Sequence, residues 1–132
     1  LDGRYAQPGF DPEVPSSWNP TMDELATMGI RTIAPPIWFL LGTSSGSLAP
    51  TAYARQATAA GLEIITWTFE RSGRPSEIPD WYYQSTADII KKEGDVFYVL
   101  EALAEDVGVV GVFSDWPATT TFYDNCRSDS EP

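Results

Sequence analysis

The chain has 132 residues, of which 42% are hydrophobic, and its 8 basic and 19 acidic side chains give a formal net charge of −11. This acidity repels a phosphate backbone, so nucleic acid is not predicted as a partner. The sequence contains no histidine, which excludes imidazole acid–base catalysis, a Ser-His-Asp triad and histidine metal ligands.

The beginning of the chain shows no helical or strand periodicity. Residues 1–18 are rich in proline and are predicted to be an irregular lead-in, and the lack of an initial methionine indicates a cut or processed end. Asn19 and Pro20 have the residue types of a helix start. Leu25 and Met28 follow at a spacing that predicts a short apolar helix face.

Three segments begin with a glycine and continue with Ile, Val, Thr and aromatic residues, which is the composition of a buried strand. They are residues 29–34, 61–68 and 108–115. Each glycine also stands where a preceding helix would end with a left-handed residue. We therefore expect three strands, each preceded by a helix.

Three helices besides the first are predicted, the first two of them from apolar residues that recur every three or four positions. They begin near Thr51 and near Asp95, and the last extends from Pro117 to about Cys126. The alternation of strands and helices implies parallel strands joined by right-handed crossovers. The longest interval follows the second strand, so residues 71–94 are predicted to be a loop insertion at its carboxyl end.

Side chains that could carry chemistry lie at the predicted carboxyl ends of the strands. Trp67 offers an apolar wall and an N–H donor, or is an ordinary core residue. Glu70 and Asp115 could be the acid and nucleophile of a glycoside hydrolase, or ligands of a divalent cation. Equally, Asp115 could cap the next helix and Glu70 could pair with Arg71.

Cys126 is the single cysteine, which excludes an internal disulfide and a cysteine metal site. It is predicted to be a buried thiol, with pairing to a cysteine outside this sequence as the alternative. The longest apolar stretch is too short for a membrane span and is interrupted by Pro35 and Pro36, so no span is predicted. Residues 127–132 are predicted to be a polar tail.

Four segments carry a resemblance to a known family. Residues 60–73 resemble the seventh strand of the glycerophosphodiester phosphodiesterases, and residues 106–117 resemble the eighth strand with its terminal aspartate and following proline. Residues 32–38 and 82–85 resemble the longer, often exported members. The resemblance covers about residues 20–126.

The strand–helix alternation and the resemblance together predict an α/β fold that is the carboxyl-terminal part of a TIM (βα)8 barrel. It would contain strands 6 to 8, as about three parallel βα units and a terminal helix, in a domain of residues 19–126 with the insertion at 71–94. A closed barrel needs roughly 250 residues. The chain is therefore expected to be a fragment whose partner is the missing amino-terminal half of the barrel, or a second copy of itself.

The resemblance implies a hydrolase of lipid metabolism that converts glycerophosphodiesters to an alcohol and glycerol 3-phosphate. In this family carboxylates hold a Ca²⁺ or Mg²⁺ ion and histidines act as acid and base. Neither set has a counterpart here, so no catalytic residue and no metal ligand is assigned, and the chain alone is predicted to be inactive and to hold no cation. The resemblance also implies a secreted or periplasmic protein.

Four substrate-binding residues are carried over by the resemblance. Trp67 matches the aromatic residue of the substrate pocket, and Asp115 matches the aspartate that ends the last strand. Tyr82 and Tyr83 correspond to a loop beside the pocket, within the aromatic cluster that begins at Trp81.

Two other functions remain as alternatives. The chain could be a non-catalytic half-barrel that self-associates as a binding or assembly protein, because three parallel strands leave two open edges. It could also be a glycoside hydrolase that uses Glu70 and Asp115.

Overall fold

The computed structural model of the protein describes residues 7–69 and 81–128. The secondary structure in chain order is α1 (Met22–Thr27), β1 (Thr32–Ile33), α2 (Ile37–Leu40), β2 (Leu41–Ser44), β3 (Ser47–Pro50), α3 (Ala52–Ala59), β4 (Glu63–Phe69), α4 (Val96–Glu101), β5 (Gly111–Ser114) and α5 (Pro117–Ser128). Short 3₁₀ turns lie at Pro15–Ser17, Trp81–Tyr83 and Glu93–Asp95, and α4 continues as a π-helical segment, Ala102–Val107.

The central sheet has three parallel strands in the order β1-β4-β5. Thr32 pairs with Glu63 across the first boundary, and Ile65 pairs with Gly111 across the second. These strands are the three glycine-led segments, so their predicted parallel arrangement is confirmed. Gly108 has φ of 76° and ends the preceding helix in the left-handed conformation, as its position in the sequence predicts.

A second sheet was not predicted. Strands β2 and β3 form an antiparallel hairpin, and the turn between them is Ser45–Gly46, where φ is 53° and 82°. Two consecutive residues with positive φ are typical of a tight two-residue hairpin turn. The hairpin lies between β1 and α3, where a simple βα unit would run directly from strand to helix.

This architecture contradicts the predicted fold class, the carboxyl-terminal part of a TIM (βα)8 barrel. The described residues form one three-stranded parallel sheet and a separate two-stranded antiparallel sheet, rather than three uninterrupted βα units. The physical reason is local. Residues 41–50 contain one β-branched residue, Thr43, and several small or polar ones, so their composition does not indicate strands, although the Ser45–Gly46 turn allows them to pair.

The irregular segment before α1 packs onto the core instead of lying loosely on the surface. Phe10 stacks on Phe39 with ring centroids 4.2 Å apart, and Trp18 meets Tyr53 edge to face at 5.2 Å. The indole N–H of Trp18 donates a 2.7 Å hydrogen bond to the Asp11 carbonyl. The buried residues of α2 and α3 therefore pack against residues that precede the first helix.

The helix starts follow side-chain capping. Thr21, rather than the predicted Asn19, caps α1, and Thr21 and Glu24 form a reciprocal capping box. Thr51 caps α3 by accepting a 3.2 Å hydrogen bond from the Ala54 N–H, which agrees with the predicted start. On α1, Leu25 is buried, but Met28 is 68% exposed and does not join the core as expected.

Candidate functional site

Trp67 lies near the carboxyl end of β4 and is held against the end of β1. Its indole N–H donates a 2.6 Å hydrogen bond to the carbonyl of Ala34, and its backbone forms an isolated parallel bridge with Pro36. The N–H that the sequence offered as a substrate donor is therefore already bonded to the protein. What Trp67 presents to a ligand is its ring, which is half-buried.

Four aromatic side chains meet beside this strand end, and we call them the aromatic surface: Trp38, Trp67, Trp81 and Tyr82. The ring centroid of Trp81 lies 6.1 Å from that of Trp67, 5.2 Å from that of Tyr82 and 5.6 Å from that of Trp38. Trp67 and Tyr82 meet at 5.7 Å. Trp81 is 43% exposed. Such a surface can cover the apolar face of a substrate and attract a cationic group.

Tyr82 and Tyr83 have different environments although they are adjacent in one 3₁₀ turn. Tyr82 belongs to the aromatic surface, whereas Tyr83 is 3% exposed and its ring lies 6.5 Å from that of Phe69. The structure therefore brings Tyr82 to Trp67 and puts Tyr83 in the core.

Asp115 follows β5 and is exposed. Its backbone N–H donates to the carbonyl of Phe69 at 3.4 Å, so it lies at the same end of the sheet as Trp67. Helix α5 begins at Pro117, which makes Trp116 the residue immediately before the helix. Glu70 lies outside the described residues, as do residues 71–80 of the predicted insertion.

Cys126 is exposed on α5, so its prediction as a buried thiol is wrong. Within residues 7–69 and 81–128, no three Asp, Glu or Cys side chains come together as a metal site. The donors that the Ca²⁺ or Mg²⁺ ion of the resembled family needs are thus not assembled in this part of the chain. No helix in the same ranges is long and apolar enough to cross a membrane.

Trp38 belongs to the aromatic surface but was not predicted as a site residue. It is the second residue of α2, after Pro35 and Pro36, and its ring meets that of Trp81 from a distant part of the chain. The available signal is an aromatic residue a few positions after the end of β1, whereas Trp67 lies within β4.

Comparison with known proteins adds a statement about location. The chain is 46% identical over 110 residues to a protein named "Extracellular protein" from Arthroderma benhamiae. The match includes 80% of this chain but only 45% of that relative, so the chain spans less than half of the relative's length. No family model matches the chain.

No solved structure matches the chain either, so no known barrel supports the predicted fold class. The name of the relative gives a location and no activity. The resemblance to glycerophosphodiester phosphodiesterases therefore stays a prediction.

Proposed function

We propose that the chain is part of a secreted glycerophosphodiester phosphodiesterase, in which it supplies a wall of the substrate site. The observation that carries the proposal is the aromatic surface beside the carboxyl end of β4. It contains Trp67 and Tyr82, two of the residues that the resemblance assigns to substrate binding.

The wall acts by orientation and by exclusion of water. The bond from Trp67 to Ala34 fixes one ring, and the exposed Trp81 beside it covers the glycerol or head-group portion of the substrate. Because Asp115 ends the neighbouring strand, its carboxylate can accept a hydrogen bond from a substrate hydroxyl. These contacts bind and position the substrate and transfer no proton.

The catalytic groups in this proposal come from outside the 132 residues. The sequence has no histidine, and the extracellular relative is more than twice the length of the matched segment. Secretion is supported by that relative's name.

The experiment compares the 132-residue chain with the full-length protein. Each is incubated with glycerophosphocholine and Ca²⁺ or Mg²⁺, and release of glycerol 3-phosphate is measured. We expect turnover by the full-length protein that is lost on chelation, and none by the chain alone. Turnover by the chain alone, or an inactive full-length protein, contradicts the proposal.

A second candidate, self-association as an assembly protein, is favoured by the surface around β5. In the described sheet β5 is an edge strand, and Val110, Phe113 and Trp116 near it are 61%, 58% and 68% exposed. Exposed apolar side chains on a sheet edge favour pairing with another chain. For the glycoside hydrolase alternative, Glu70 lies outside the described residues and no observation favours it.

A further inference from the structure

A pocket adjoins the aromatic surface at Trp38. It has a volume of about 280 Å³, and we call it the polar pocket. Its lining comes from four separate segments: the lead-in before α1, the α2–β2 junction, the start of α3 and the residues after the Trp81–Tyr83 turn. The side chains and backbone that matter here belong to Glu13, Trp38, Gly42, Thr51, Gln84 and Ser85.

Two polar atoms of the lining residues are buried and unpaired. Neither Nε1 of Trp38 nor Oγ of Ser85 has a hydrogen-bond partner within residues 7–69 and 81–128. Buried polar groups in folded proteins nearly always have one. Two such groups on the residues of one pocket indicate a polar partner that enters it. Both atoms are shielded from solvent in this structure, so binding requires a change of rotamer in the lining.

The charge of the pocket restricts the ligand. Oε2 of Glu13 accepts a 3.1 Å hydrogen bond from the Ala52 N–H and lies 3.5 Å from Nη2 of Arg55. Oε1 lies 3.9 Å from the point where a Cβ on Gly42 would stand. One carboxylate oxygen is thus compensated by the protein, while the other faces Gly42. The pocket therefore needs no cation to neutralise Glu13, and the carboxylate would repel an anionic ligand.

We propose that the polar pocket binds one neutral sugar ring. Sugar hydroxyls both donate and accept, so they can donate to Glu13 and accept from Trp38 and Ser85. The volume lies just below the range of about 300–1,000 Å³ typical of small-molecule sites, which limits the ligand to a single ring. This site goes beyond phosphodiester hydrolysis and does not depend on it.

The test measures binding of D-glucose, D-galactose and D-mannose to the full-length protein by ligand-observed NMR. At least one sugar is expected to bind with a dissociation constant of about 1 mM. Ser85→Ala is expected to weaken that binding about tenfold, the loss of one hydrogen bond. It removes only an unpaired buried hydroxyl, so the melting temperature should not fall. Ser44→Ala, at an exposed serine of β2, is the matched control.

A second pair of variants fills the pocket without removing any polar group. A Cβ on Gly42 would lie 3.7 Å from Cγ2 of Thr51, an ordinary contact, so Gly42→Ala should fold normally and weaken binding. Gly42→Val should abolish it. The proposal is overturned if none of the sugars binds, or if Ser85→Ala and Gly42→Ala leave binding unchanged. Binding lost in Trp81→Ala but kept in Ser85→Ala assigns the sugar to the aromatic surface, which also overturns it.

Discussion

The indole N–H of Trp67 donates a hydrogen bond to the carbonyl of Ala34 and so joins the ends of the neighbouring strands β4 and β1. Beside it, the Thr66 hydroxyl donates a 3.0 Å bond to the carbonyl of Pro35. Pro35 and Pro36 have no N–H for the sheet ladder. Side chains of β4 therefore donate hydrogen bonds to carbonyls beyond the point where the backbone hydrogen bonds between β1 and β4 stop. The bond from Trp67 fixes the orientation of its ring in the aromatic surface.

Trp67→Phe is expected to keep the aromatic ring but to lose the bond to Ala34. The half-buried carbonyl is left without that donor, so the free energy of unfolding should fall by about 1 kcal/mol, measured by urea denaturation. Tyr98→Phe, at a residue 64% exposed, is the control and should change stability by less than about 0.5 kcal/mol. Equal stability of the two variants would show that the Trp67 bond contributes nothing.

Asp95 should make stability depend on pH in the acid range. The N–H groups of Lys91 and Lys92 both donate to Oδ2 of Asp95 at 2.8 Å, and they lower the pKa of its carboxyl below the ordinary 3.8. Because the pKa is lowered in the folded state, the carboxylate stabilises the protein at pH values above the ordinary pKa of 3.8. This stabilisation is lost as the pH falls through the lowered pKa.

The measurement for Asp95 is the melting temperature as a function of pH. Asp95→Ala should melt below wild type at neutral pH, and the difference should shrink once the pH is below about 4. Asp88→Ala, at an exposed residue of the same connecting segment, is the control. A difference that stays constant across this range contradicts the prediction.

Tyr123 should titrate late and link α5 to α4. Burial raises the pKa of Tyr123 to about 12, and a 2.5 Å hydrogen bond from its hydroxyl to Oε2 of Glu101 acts in the same direction. Because the pKa is raised in the folded state, the protonated hydroxyl stabilises the fold at pH values below the ordinary pKa of 10. This stabilisation is lost as the pH rises toward 12. The phenolate absorbance that wild type has and Tyr123→Phe lacks should therefore appear near pH 12. Tyr98→Phe, at a 64% exposed position, is the control and should leave this late absorbance unchanged. An absorbance near pH 12 that is the same in Tyr123→Phe as in wild type would refute the assignment.

Self-association, if it occurs, should use the β5 edge. Phe113→Lys places a charge on an edge-strand residue that is 58% exposed, so it should reduce the oligomer fraction in sedimentation experiments. Val14→Lys, at a position 43% exposed in the lead-in, serves as the control. A wild-type chain that stays monomeric at all concentrations removes the assembly alternative.

The sequence was sufficient for the elements whose composition is distinctive. The glycine before each Ile- and Val-rich run predicted three parallel strands, and Thr51 marked the start of α3 correctly. The hairpin was missed because β2 and β3 consist mainly of small and polar residues, which carry no strand signal. Its presence is what made the predicted barrel unit wrong.

The candidate site was predictable residue by residue but not as an arrangement. Trp67 and Tyr82 were selected and do meet, because both lie near the carboxyl end of β4. Trp38 reaches the aromatic surface only through the tertiary fold, which brings its ring to that of Trp81. Sequence could not distinguish Tyr82 from Tyr83, because the conformation of a short 3₁₀ turn decides which of two adjacent side chains is buried.

The most direct test of the substrate wall is the steady-state kinetics of Trp81→Ala in the full-length protein, with glycerophosphocholine as substrate. Loss of an aromatic contact of about 1.4 kcal/mol predicts a KM about tenfold higher with kcat nearly unchanged, because the wall binds substrate and transition state alike. Tyr98→Ala, at an exposed aromatic residue of α4, should leave both constants unchanged. An unchanged KM in Trp81→Ala would contradict the account.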